Sequence, residues 1–152
     1  MRGFKKTQTA KHKVYAMTDF YHTNYKEYDK RTFSIDPSPF LIPFLHVIPS
    51  GAAILDIGCA SGRDLVWFKN KGFNVTGFEK SPGLANLARK NAQCDVIEGD
   101  FEVYDFSVFS FDGVVASGAL VHVPHDRLPD VIQNISQALI QKGYFYISLK
   151  KG

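Results

Sequence analysis

From Ile48 onward, short runs rich in Val, Ile, Phe and Tyr alternate with longer amphipathic stretches. That alternation predicts a parallel sheet with helices on both faces. Five strands are expected, at residues 53–57, 74–78, 95–97, 113–116 and 144–149. They are mostly apolar, as strands covered on both faces must be. The clearest helix opens near Asp126 and places Leu128, Val131, Ile132, Ile135 and Leu139 at spacings of three and four, a single apolar stripe for packing. Two more helices fit residues 62–70 and 82–91. The second is opened by Ser81-Pro82, an N-cap followed by proline at the first helical position. Ahead of the sheet, residues 19–31 and 38–47 read as helices rich in Tyr and Phe respectively. No internal repeat or low-complexity segment interrupts this order.

Composition adds boundaries to the picture. A chain of 152 residues with 45% apolar and 22% charged side chains has the size and balance of one domain. The longest apolar stretches, 40–49 and 51–60, are broken by Pro, His or Asp well short of the about 18 residues that a membrane span needs. Residues 1–13 are basic but lead into Tyr15, Asp19 and His22 rather than an apolar segment, so a secretory signal is not expected and the chain reads as cytoplasmic. Cys59 and Cys94 make no disulfide framework, and no Cys or His pair has zinc-site spacing, so no metal is expected. The net charge of +3 belongs to one end. Arg2, Lys5, Lys6, Lys11 and Lys13 all precede the first acid, Asp19; without them the other basic residues are slightly outnumbered by the 15 acids. Residues 1–18 are therefore read as a basic flexible tail and 19–152 as the domain. The body has no basic stripe of the kind that nucleic-acid binding requires.

In open α/β sheets, ligands bind beyond the carboxyl ends of the strands where the strand order reverses. That directs attention to the segment after the first strand, Asp56-Ile57-Gly58-Cys59-Ala60-Ser61-Gly62-Arg63-Asp64. Glycines 58 and 62 permit a tight turn, small Ala60 and Ser61 keep the loop low, and the next helix points its N-terminus at a ligand. The pattern lacks the second glycine of a dinucleotide fingerprint and the Gly-Lys-Ser/Thr of a P-loop. Glu79, with Lys80 and Ser81 after it, ends the second strand, where a carboxylate can accept from ribose hydroxyls. Asp100 ends the third strand, where an acid can take an adenine amine while Phe101 covers the ring. Three such groups at successive strand ends describe a pocket for an adenosine without phosphate.

These motifs, Ile54-Leu55-Asp56-Ile57-Gly58-Cys59-Ala60-Ser61-Gly62, Val75-Thr76-Gly77-Phe78-Glu79, Glu98-Gly99-Asp100-Phe101, Phe111-Asp112-Gly113-Val114-Val115-Ala116-Ser117 and Gly143-Tyr144-Phe145-Tyr146-Ile147-Ser148-Leu149-Lys150, resemble those of class I S-adenosylmethionine-dependent methyltransferases. Gly62-Arg63-Asp64 and Leu120-Val121-His122-Val123-Pro124 are similar to the small bacterial tellurite-resistance type. The resemblance implies a Rossmann-like sheet of order 3-2-1-4-5 and S-adenosylmethionine as cofactor, with S-adenosylhomocysteine as product. It also implies a small soluble methyl acceptor.

It assigns Asp56 to ordering the glycine loop (Gly58, Cys59, Ala60, Gly62), whose amides meet the amino-acid end of the cofactor. By the same resemblance Ser117, Gly118 and Ala119 are expected to face the methionine portion, and Tyr21 and Tyr28 to belong to an aromatic lid formed by helices within 19–47. Glu79 stands where aspartate is commoner, and Ala60 where glycine is usual. His122 is the candidate catalytic base; orienting a loop or bonding the next helix through a ring nitrogen is its other reading, and soft acceptors such as thiols would need little base at all. Members of the family continue past the fifth strand with a helix and hairpin that this sequence lacks. The fifth strand is therefore expected to be an open edge, available for self-association. A cofactor-binding module without turnover, or a partner-binding regulatory domain, is the alternative function.

Overall fold

The structure is a computed structural model and describes residues 24–149. The basic tail at 1–18 and Tyr21 lie outside the described residues. Five parallel strands, β1 (Ala53–Ile57), β2 (Asn74–Glu79), β3 (Asp95–Glu98), β4 (Phe111–Ser117) and β5 (Leu139–Ser148), form one sheet in the order β3-β2-β1-β4-β5. The Rossmann-like order expected from the sequence is the order found. The strand order reverses at β1, whose partners are β2 on one side and β4 on the other.

Side-chain alternation along β1 and β4 separates two cores. Ile54 and Val115 join Leu41, Phe44, Leu65, Phe68, Ala85 and Ala88 on one face, which is covered by helices α2 (Ser38–Leu45), α3 (Arg63–Asn70) and α4 (Pro82–Ala92), with α1 (Tyr25–Thr32) packed against α4. Leu55, Ile57, Val114 and Ala116 face Phe106, Val131 and Ile135 on the other face, which is covered by helix α5 (Leu128–Ser136) and a single 3-10 turn at Phe106–Val108. Gly113 allows the first layer its close approach: a methyl there would stand 2.8 Å from both Ile48 Cδ1 and Phe44 Cζ. No helix of the described residues is long and apolar enough to cross a membrane.

Two expectations are corrected. The helix near Asp126 does not carry its stripe to Leu139; it ends at Ser136, and Leu139 already pairs with Phe111 as the start of β5. The strand then passes an irregularity, with Lys142 at φ +67, before Tyr144 pairs with Gly113. Periodicity missed this because Leu139 satisfies helical spacing and strand burial equally well. The first described helix begins at Tyr25 rather than Asp19, and residues 19–23 lie outside the described residues.

Candidate functional site

At the reversal point, the carboxyl ends of β1, β2, β3 and β4 open onto a cleft of about 270 Å³. Gly58 and Ala60 come from the β1 loop, Glu79 and Lys80 from the end of β2, and Asp100 and Phe101 from the end of β3. Ser117, Gly118, Ala119 and His122 come from the segment after β4. Ten of the residues singled out by the sequence thus meet in one space.

The loop after β1 is tightly built. Phe78 O accepts from the amides of Gly58 (2.8 Å) and Cys59 (3.1 Å), and Cys59 O accepts from Gly62 N–H (3.0 Å). Gly58 is left-handed at φ +68, and a methyl on it would lie 2.8 Å from Ala119 Cβ, so glycine is needed both for conformation and for room. Ala60 is left-handed as well, at φ +51, a conformation that costs an L-residue about 1–2 kcal/mol.

Glu79 holds that strained residue. Its Oε1 accepts from Ala60 N–H at 3.0 Å and its Oε2 from Ser81 N–H at 2.7 Å, so one carboxylate ties the β1 loop to the turn that enters α4. This qualifies the expectation that the loop amides are free for a ligand: the amides of Gly58, Cys59, Ala60 and Gly62 each have a partner within the protein.

Other expected residues stand behind the cleft. Cys59 is buried; its sulfur fills the space beside Gly77, where a methyl would approach it to 2.8 Å. Burial, with the Asp56 carboxylate nearby, pushes its thiol well above the usual range, so the side chain is an inert packing group that does not line the cleft. A methyl on Gly62 would lie 3.1 Å from Ala88 Cα, so glycine lets the loop sit close against α4, and Ser81 caps α4 by accepting from Leu84 N–H. Tyr28 lies on α1, but its side chain is outside the described residues.

Asp56 is 2% exposed, and its Oδ2 is buried without a hydrogen-bond partner. Burial, followed by the neighbouring Asp64 carboxylate, raises its pKa well above the carboxylate norm. A folded-state pKa raised in this way adds stability below the unfolded value, near 3.9, and that contribution is lost as pH rises through the folded value. Asp56→Asn removes the buried charge. It should therefore raise the melting temperature at pH 7–8, with the gain shrinking toward pH 4. Thermal melts across that range check this; a gain that grows toward low pH would reverse the assignment.

Linear reading missed a second ring of the site. Leu84, Glu102 and Arg127 also line the cleft. Lys80 Nζ lies 3.3 Å from Asp100 Oδ2, and Arg127 pairs with Glu102, so each of these two lining cations faces an acid. Asn134 of α5 donates to the carbonyls of Phe101 (3.2 Å) and Tyr104 (3.0 Å), fixing the loop after β3 from behind. These partners are far apart in sequence and share no motif, so only the fold brings them together. Among the described residues, no group of three or more His, Cys, Asp or Glu is placed to hold a metal.

The Methyltransferase domain family matches residues 54–143. Carboxy-S-adenosyl-L-methionine synthase of Campylobacter jejuni subsp. jejuni is 24% identical over 109 residues, covering 68% of this chain and 46% of that protein. The 24-methylenesterol C-methyltransferase 2 of Oryza sativa subsp. japonica is 32% identical over 106 residues, 64% of this chain and 28% of the relative. The chain thus spans about half, or less, of the length of these curated relatives. Among solved structures, a TehB-like SAM-dependent methyltransferase from Corynebacterium glutamicum is similar with a TM-score of 0.65 and 27% identity, over 84% of this chain and 70% of that one. The family match covers more than half of the sequence and includes the glycine loop, the acids after β2 and β3 and the segment after β4. By that match and by its sheet order, the chain belongs to the Methyltransferase domain family.

Proposed function

We propose that this domain binds S-adenosylmethionine in the cleft and transfers its methyl group to a small soluble acceptor, working in the cytoplasm. The observation that carries the reading is the convergence of Gly58, Glu79, Asp100 and Ser117, one from each of four strand ends, on a single cleft. The donor set fits the cofactor. Acidic acceptors stand at the ends of β2 and β3, and Phe101 and Leu84 offer apolar surface for a base. Lys80 and Arg127 are committed to acids, which disfavours a pyrophosphate and favours an uncharged nucleoside.

When bound, the cofactor supplies an electrophilic methyl carried on a sulfonium. The chain supplies position, acceptors and exclusion of water. Glu79, at the end of β2 and lining the cleft, is the proposed acceptor for ribose hydroxyls. Asp100 shares its carboxylate between Lys80 and Glu102 N–H and offers the remainder to an adenine amine. Ser117, Gly118 and Ala119 face the methionine portion. Gly118 is pinned by donating to Ser148 Oγ at 2.8 Å. Glu79 and Asp100 place carboxylates beside the cleft, which favours a cationic ligand over its neutral product.

His122 is the proposed proton acceptor for amine or hydroxyl substrates. The test is release of S-adenosylhomocysteine from S-adenosylmethionine across thiol, oxyanion, amine and hydroxyl acceptors. Turnover with at least one class is expected. For amine or hydroxyl acceptors, His122→Ala should slow turnover about 100-fold while leaving cofactor affinity unchanged. Cofactor binding with no turnover on any class would favour the binding-module alternative.

A further inference from the structure

Gly83 occupies the second position of α4, where glycine is a poor helix former and alanine would be the better choice. Its backbone gives no reason for glycine, since it is not among the residues with positive φ. Its surroundings do: a methyl at this position would lie 2.5, 2.6 and 2.7 Å from Cδ1, Cε1 and Cγ of Tyr25, so one side of the tyrosine ring rests on the helix backbone. A ring edge met at three atoms cannot yield as the tip of a flexible chain does. The seat adjoins the site. Leu84, the next residue, lines the cleft, as does Lys80 just before the helix. Between them, Ser81 donates to Glu79 Oε2, and Glu79 Oε1 accepts from Ala60. Packing and hydrogen bonds therefore run without a break from α1 through the first turn of α4 to the strained loop after β1.

We propose that Tyr25 is a positioning residue: its ring, seated on Gly83, fixes the first turn of α4 and thereby the cleft wall formed by Lys80 and Leu84. The ligand effect rests on the reading of the cleft as an adenosyl site; the seat itself does not.

The test is a four-member cycle of the parent, Gly83→Ala, Tyr25→Ala and the double variant, read by melting temperature and by calorimetric affinity for S-adenosylhomocysteine. In the parent background, Gly83→Ala should lower the melting temperature by about 2–5 °C and weaken affinity about fivefold. In the Tyr25→Ala background, the same substitution should raise the melting temperature by about 1–3 °C, as helix propensity alone dictates, and leave affinity unchanged. Tyr25→Phe, which keeps the ring, should behave as the parent. A gain in melting temperature from Gly83→Ala in both backgrounds would remove the seat. A loss of stability with unaltered affinity would reduce Tyr25 to a structural contact and overturn the proposal. A parent that binds no adenosyl compound would defeat the functional reading, and the sign reversal in melting temperature would still decide the seat.

Discussion

Replacing Glu79 with alanine is expected to weaken binding of S-adenosylhomocysteine at least tenfold and to lower the melting temperature by about 4–8 °C. Both effects have one cause. The carboxylate accepts from Ala60 N–H and Ser81 N–H, and hydrogen bonds to a charged group contribute about 1.5–3 kcal/mol each. Water can reach these part-buried amides once the side chain is gone, so a net loss of about 2 kcal/mol is the reasonable scale, and at this chain length each kcal/mol moves the midpoint by about 2–4 °C. The affinity falls further because the proposed ribose acceptor leaves with the tie that shapes the loop. Asp100→Ala should cost less on both measures. Asp100 holds Glu102 N–H and an exposed pair with Lys80, and such pairs contribute about 0.2–1 kcal/mol. Calorimetry on the two variants decides the order; a larger affinity loss at Asp100 would move the anchoring carboxylate from β2 to β3.

Gly58→Ala should be more damaging to stability than any other single substitution considered in the loop after β1, while Ala60→Gly two residues away should help. At Gly58, left-handed strain of about 1–2 kcal/mol is joined by a methyl 2.8 Å from Ala119 Cβ, an overpacking cost of about 1–3 kcal/mol. The melting temperature should fall by about 5–15 °C. Ligand binding should fall with it, since Gly58 and Ala119 both face the cleft. At Ala60 the strain is already present, and glycine relieves it at the expense of a more flexible unfolded chain, for a net gain of up to about 1 kcal/mol. Melts of the two variants side by side check the contrast. Equal stability of Gly58→Ala and the parent would mean that the loop has room the structure does not show.

Much of this arrangement was legible in the sequence, for physical reasons that particular residues make plain. The strand at Ala53–Ile57 is read correctly to the residue because its apolar run is bounded by turn formers on both sides. The acids at 79 and 100 could be placed because a parallel sheet puts every strand end on one rim. The end of α5 was not legible, because Leu139 fits both a helical stripe and a buried strand. Nor was the internal use of Glu79: a carboxylate at a strand end looks the same in sequence whether it awaits a ligand or already holds two amides. Cys59 misled for a related reason. Its place in the loop put it among the cofactor-binding residues, but side-chain direction turns its sulfur into the core beside Gly77. The pairing of Arg127 with Glu102 depends on α5 and the loop after β3 meeting across the cleft, which no local spacing reports.

The central claim is that the cleft at the ends of β1 to β4 is an adenosyl site without a phosphate subsite. It is tested most directly by a thermal titration of the chain with S-adenosylhomocysteine, S-adenosylmethionine and NAD in parallel. At 100 times its dissociation constant, a ligand adds about 2.7 kcal/mol, so both adenosyl compounds should raise the melting temperature by about 5–10 °C while NAD leaves it unchanged. Stabilisation by NAD with neither adenosyl compound having an effect would contradict the account.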